Sequence, residues 1–178
     1  ADHCMNFAME CSTNIPYSFT EAVADTYVSN QTEADTNFGH AATLLVQDDW
    51  RNSGRNINKQ ILTLIKFKIP PQPTNIEDYT GVSFKYKIRL YEGNITDAKA
   101  FTIFFYPTTP DGWDENTVTW NNKPSFKYSS DASLYMNNTQ QFRYVDVDSA
   151  VRAALAAGKT EVAYYIGGER NGRTISVN

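Results

Sequence analysis

Residues 83–91 read SFKYKIRLY and set Phe84, Tyr86, Ile88 and Leu90 against Ser83, Lys85, Lys87 and Arg89. Successive side chains of a strand point to opposite faces, so this period of two gathers the apolar groups on one face and the cations on the other. Wound into a helix, the same nine residues would scatter both kinds around the circumference. The stretch predicts a strand with one dry and one wet face, the habit of antiparallel sheets.

Working outward, QILTLIKFKI (60–69) and AFTIFFY (100–106) are denser in β-branched and aromatic residues and predict more deeply buried strands. EAVADTYV (21–28), ATLLVQ (42–47), FRYVDV (142–147), EVAYYIG (161–167) and RTISV (173–177) add shorter candidates. Eight strands between loops rich in Asn, Asp, Gly and Pro predict an all-β fold, an antiparallel β-sandwich of jelly-roll type. DSAVRAALAAG (148–158) is the one helical pattern: Val151 and Leu155 share a face, Asp148 or Ser149 can cap it, and Gly158 can end it. PPQPTNIEDYTG (70–81) is a proline-stiffened connection, too short for an interdomain linker.

A chain of 178 residues with 41% hydrophobic content can bury one core but hardly two, so residues 19–178 are read as a single sandwich domain. Residues 1–18 differ: they hold both cysteines and two of the three methionines, with no countable strand or helix period. They are read as an N-terminal extension. It either packs on its own domain as a disulfide-tied tail or leaves its subunit to add to a neighbour's sheet edge.

The net charge of −4 and the scatter of the 16 Lys and Arg residues exclude the basic stripe that nucleic-acid binding needs. No apolar run approaches the roughly 18 residues of a spanning helix, so no membrane insertion is expected. A start at Ala1 rather than Met fits a mature product cut after a signal peptide, or an arbitrary boundary. Cys4 and Cys11 have no zinc spacing, even with His3 alongside, and a local disulfide is the preferred reading. That bond would imply a secreted, extracellular setting. Sequons stand at Asn30, Asn94 and Asn137; if glycosylated they must be exposed, but a chain this rich in Asn, Ser and Thr carries about that many by chance.

Pieces for catalysis are poor. His3 lies in the extension and His40 in FGHAAT, neither beside a nucleophile, and the adjacent carboxylates of Asp114 and Glu115 would point to opposite faces of an extended chain. No enzyme is expected. Trp113 and Trp120, in DGWDENTVTWNNKP (111–124), can either stack on pyranose rings, with Asp114, Asn121 and Asn122 reaching hydroxyls, or tuck over the sandwich end as architecture. Architecture is favoured. Trp50, in the polar loop expected at QDDWRNSGRN, is the preferred ligand platform, with Arg51 and Arg55 to clamp a uronate or sulfate. Calcium is the plausible cofactor, through oxygens of Asp25, Asp35, Asn37, Asp146 and Asp148, with Asp48 and Asp49 also available. None of these stretches has EF-hand spacing, and Asp35 with Asn37 can simply make Asx turns.

The order of blocks ADTYV (24–28), DTNFG (35–39), LIKFKIP (64–70), GWDENTVTWNNKP (112–124), YVDVDSAVRAALAAGK (144–159) and GGERNGRTISV (167–177) resembles the DNRLRE domain, grouped with carbohydrate-binding module family 96. The likeness runs from about residue 22 to the C-terminus. It implies a secreted β-sandwich with cell-wall or alginate-type glycans as ligands. The cysteine-bearing extension is outside that pattern, and no catalytic domain accompanies the module. Two readings of function follow: a non-catalytic module binding extracellular polysaccharide, or a structural subunit of a filament, sheath or adhesive appendage assembled from copies of itself through the N-terminal arm.

Overall fold

Alternating strands are the dominant element of the computed structural model, which describes residues 7–12, 18–51, 57–71, 85–92, 101–127, 129–137, 141–168 and 174–177. In chain order they are β1 (Phe7–Ser12), β2 (Ser18–Ser29), β3 (Leu44–Arg51), β4 (Ile57–Lys68), β5 (Lys85–Glu92), β6 (Phe101–Thr108), β7 (Ala132–Met136), β8 (Gln141–Asp146), then α1 (Asp148–Ala156), β9 (Glu161–Gly167) and β10 (Thr174–Val177). All the pairings between them are antiparallel. Among the described residues no helix is long and apolar enough to cross a membrane.

The hydrogen-bonded path runs β7-β6-β9-β4-β2-β1-β5-β8, with β3 pairing β4 and β10 pairing β3. It makes two layers because β2 serves both. Its start pairs β1 from Ser18 to Glu21, and its remainder pairs β4 from Ala22 to Ser29. The register slips between Ala22 and Ala24, at the exposed Val23. An extra residue of this kind bends a strand and lets it pass from one sheet to the other.

Within SFKYKIRLY, residues 85–91 are described and behave as the pattern demands. Tyr86, Ile88 and Leu90 of β5 are buried against Ile65 and Phe67 of β4, Ile103 and Phe105 of β6, Val145 of β8, and Tyr164 and Ile166 of β9. Val151 of α1 plugs the same core. The layer β4-β9-β6 is covered on its far face as well. Leu62 and Leu64 of β4, with Ala163 and Tyr165 of β9, alternate in sequence with the main-core residues and belong to a second cluster with Ala24, Val28, Trp113 and Val118.

Three expectations need correction. Residues 7–12 are not irregular: β1 lies between β2 and β5, hydrogen-bonded to both. ASLYM forms the further strand β7, paired with β6. Neither Asp148 nor Ser149 caps α1: Val147 holds the cap position, and Asp148, the first helical residue, accepts the Tyr86 amide at 3.1 Å and pairs with Arg152 at 2.8 Å. At the other end Gly158 takes φ +75°, its N–H reaching the Leu155 carbonyl and that of Lys159 the Ala154 carbonyl. This is the Schellman ending, which needs a residue without Cβ strain at that position.

Glu92 closes β5 with its side chain fully buried. Its Oε2 receives Arg143 Nη1 at 2.6 Å, and its Oε1 receives the Asn137 amide at 2.6 Å. Arg143 also donates to the Tyr135 carbonyl at 3.0 Å, so one ion pair ties β5, β7 and β8 together.

Candidate functional site

The Trp113–Trp120 segment is folded back over the outer face of β4-β9, not over the sandwich end. Tight turns shape it: Gly112 adopts φ +80°, and Asp114 accepts the Asn116 amide on Oδ1 at 2.8 Å and the Val118 amide on its carbonyl at 2.9 Å. Asn122 takes the Thr119 amide at 2.7 Å and donates to the Thr117 carbonyl at 3.1 Å. Side chains suggested for sugar hydroxyls thus build the loop itself.

Trp113 is buried in the second core. Its Nε1 donates to the Thr109 carbonyl at 2.9 Å, and the Lys66 ammonium stands 4.2 Å over its ring. No open face is left for a sugar. Trp120 is half-buried and packs against the same cluster, with Lys123 Nζ 3.9 Å over its ring. Burial lowers the Lys123 pKa. Phe126 completes the cover, 4.5 Å from the Tyr165 ring, whose hydroxyl donates to the Pro124 carbonyl at 2.6 Å.

The two sequence blocks that carry the family likeness meet here. Asn37 donates to the carbonyls of Glu115 at 2.9 Å and Val118 at 2.7 Å, while Oδ1 accepts the Gly39 amide at 3.1 Å. The Asp25 amide donates to Glu115 Oε2 at 3.1 Å, and Asn121 donates to the Ala34 carbonyl and to Asp35 Oδ1. Of the calcium candidates, Asp25, Asp35 and Asn37 border this junction, Asp25 through its backbone amide, whereas Asp146 and Asp148 lie where β8 leads into α1. Asp146 receives Lys85 at 3.4 Å and the Asp148 amide at 3.0 Å. Among the described residues no three His, Cys, Asp or Glu side chains gather to hold a cation.

QDDWR is not loop but the end of β3: Trp50 pairs in register with Asn58 and Arg51 with Ile57. The side chains of Asp48, Asp49, Trp50 and Arg51, and all of Arg55, Cys4 and Asn94, lie outside the described residues. Cys11 sits in β1 opposite Tyr86. Of the other sequons, Asn137 is exposed, and the half-buried Asn30 accepts the Gln60 amide at 2.9 Å on its side-chain oxygen. His40 is exposed.

An aromatic surface lies elsewhere, on the outer face of β5-β8. Cross-strand partners there are Tyr91 with Phe142, Arg89 with Tyr144, and Lys87 with Asp146. Phe142 and Tyr144 are each half-exposed at 50%, and Tyr91 is 37% exposed, values large enough for all three rings to meet a solute. Tyr91 and Phe142 meet edge to face at 5.3 Å, and the Arg89 guanidinium lies 4.8 Å over the Phe142 ring. The result is a ladder of aromatic and basic groups on rigid strands. Its signal was present in the sequence, since Phe142 and Tyr144 share the parity of Asp146 and oppose that of Val145.

No curated protein matches the chain. The family model of carbohydrate-binding module family 96 matches residues 16–178, everything from β2 onward, with β1 outside it. A match over nearly the whole sandwich, including both interlocked blocks, decides the affiliation: the chain belongs to carbohydrate-binding module family 96.

Proposed function

We propose that this chain is a secreted, non-catalytic module that holds an extracellular polysaccharide on the outer face of β5-β8. The observation that carries the reading is the exposed ladder of Tyr91, Phe142 and Tyr144 with Arg89 and Lys87. Aromatic faces suit the C–H faces of pyranose rings, and guanidinium and ammonium groups suit hydroxyls or acidic substituents. Strand-borne groups need little ordering when a ligand arrives, which lowers the entropic cost of binding.

Affinity electrophoresis against a panel of uronic-acid and neutral polysaccharides tests it. Retardation by at least one glycan is expected, weakened about tenfold or more in Phe142→Ala/Tyr144→Ala, a loss of roughly 1.4 kcal/mol. Trp50→Ala serves as the comparison, because Trp50 with Arg51 and Arg55 is the competing platform. Retardation lost with Trp50→Ala but kept in the double variant would move the site to the β3-β4 end. Release of products from any of the glycans would make the chain an enzyme.

A further inference from the structure

β1 occupies the middle of its layer. Ala8 to Cys11 pair with Glu21 to Ser18 of β2, and Phe7 to Ser12 pair with Leu90 to Lys85 of β5. Among the described strands, β1 alone joins the β5-β8 ribbon by strand pairing to the rest of the path. A two-stranded ribbon is marginal in water by itself, so this layer depends on a strand filling the slot between β2 and β5. Both walls of the slot lie within the family match, whereas the strand that fills it precedes residue 16 and lies outside.

We propose that β1 is an exchangeable strand, and that the slot between β2 and β5 also accepts the β1 of a second copy of this chain. The main-chain pairing of β1 is the same whichever copy supplies it, so the connector and the association entropy distinguish the two states. The connector, residues 13–17, is Thr-Asn-Ile-Pro-Tyr. It has no glycine, Pro16 fixes its own φ, and Ile15 before it is biased toward extended backbone. Pro16, and its effect on Ile15, narrow the conformations by which the connector can return β1 to its own β2, a restriction that the exchanged form, whose connector need not turn back, escapes. Reciprocal exchange gives a closed dimer; head-to-tail exchange gives an open chain of subunits. The inference stands independently of glycan binding, since it uses neither Phe142 nor Tyr144.

A covalent trap tests it on the full chain. Ser12 and Lys85 are direct cross-strand partners, so Ser12→Cys/Lys85→Cys, in a Cys4→Ser/Cys11→Ser background, places two thiols within disulfide reach. Dilute protein should cross-link within one chain. Protein concentrated, warmed and cooled should give a multimer peak whose cross-linked bands contain two or more chains, and Pro16→Gly should shrink that peak several-fold. Multimers that run as single chains after cross-linking would overturn the proposal, as would the lack of multimers at every concentration reached. If the cysteine variant does not fold, the unmodified chain carried on two different tags supplies the second readout. Hybrids should form on warming and be suppressed by excess peptide of residues 1–17; hybrids indifferent to the peptide, or none at all, would overturn it equally.

Discussion

Asn37 directs its side-chain amide at the backbone carbonyls of both Glu115 and Val118, and Gly39, two residues on, lies so close to Glu115 that a Cβ there would stand 2.1 Å from the Glu115 oxygen. The turn after β2 and the cover over β4-β9 are thus fastened by groups that tolerate no substitute. Aspartate in place of Asn37 would lose the donors, and any side chain at Gly39 would push the two segments apart.

Asn37→Ala should lower stability by about 2–3 kcal/mol, because two part-buried carbonyls and the Gly39 amide lose their partner. Gly39→Ala should cost about 1–3 kcal/mol through forced displacement of backbone. The urea midpoint measures both; a midpoint unchanged in Gly39→Ala would show that the segments separate freely.

Trp113→Ala should destabilise by about 3–5 kcal/mol, the range for a large aromatic removed from a core. Trp120→Ala, whose ring is only half-buried, should cost distinctly less. Denaturation followed by circular dichroism ranks them. Trp120→Ala, if it retains the fold, should leave glycan retardation intact; a selective loss of binding in a folded Trp120→Ala protein would return the sugar site to this segment.

Much of this was legible beforehand. Strands with a clear period of two, such as SFKYKIRLY, and strands dense in apolar residues were read correctly because backbone alternation imposes the pattern directly. FAMECS and ASLYM alternate too, but over six and five residues, beside cysteines in one case and polar turns in the other. QDDWR looked like a loop from its acids; pairing with β4 carries it into a strand regardless of propensity. The cover over β4-β9 had a faint signal. Leu62 and Leu64 break the polar parity that Gln60, Lys66 and Lys68 set in β4, as Ala163 and Tyr165 do after Glu161 in β9, so a second layer of side chains had to shield them. Which segment does so depends on contacts 81 and 90 residues apart, which no local pattern encodes.

Breaking the Glu92–Arg143 pair should be costly. Arg143→Met leaves the fully buried Glu92 carboxylate with the Asn137 amide but without its cation, and removal of one partner of a buried pair typically costs about 3–5 kcal/mol. Glu92→Gln/Arg143→Met together should recover most of the loss. The comparison of single and double variants in urea decides it: additive losses would mean that the two side chains do not act as a pair.

Asp131 and Asp146 should give opposite pH signatures. Burial, and then the negative charge of Asp146, raise the Asp131 pKa. The native state therefore binds the Asp131 proton more readily than the unfolded chain, and this contribution falls as pH rises from the unfolded value, about 3.9, through the raised folded one. For Asp146 the Asp148 amide, and less strongly Lys85, lower the pKa against an opposing effect of burial. Its contribution is present above about pH 3.9 and is lost as pH falls through the lowered folded value. Asp131→Asn should accordingly raise stability at pH 7, and Asp146→Asn should reduce it, each by no more than about 0.5 kcal/mol for carboxylates so near solvent. Both differences should shrink toward zero below the carboxylate range. Thermal midpoints at pH 7 and pH 3 check the signs, and a loss of stability in Asp131→Asn at pH 7 would mean that its charge is held by a favourable partner instead of being opposed by burial.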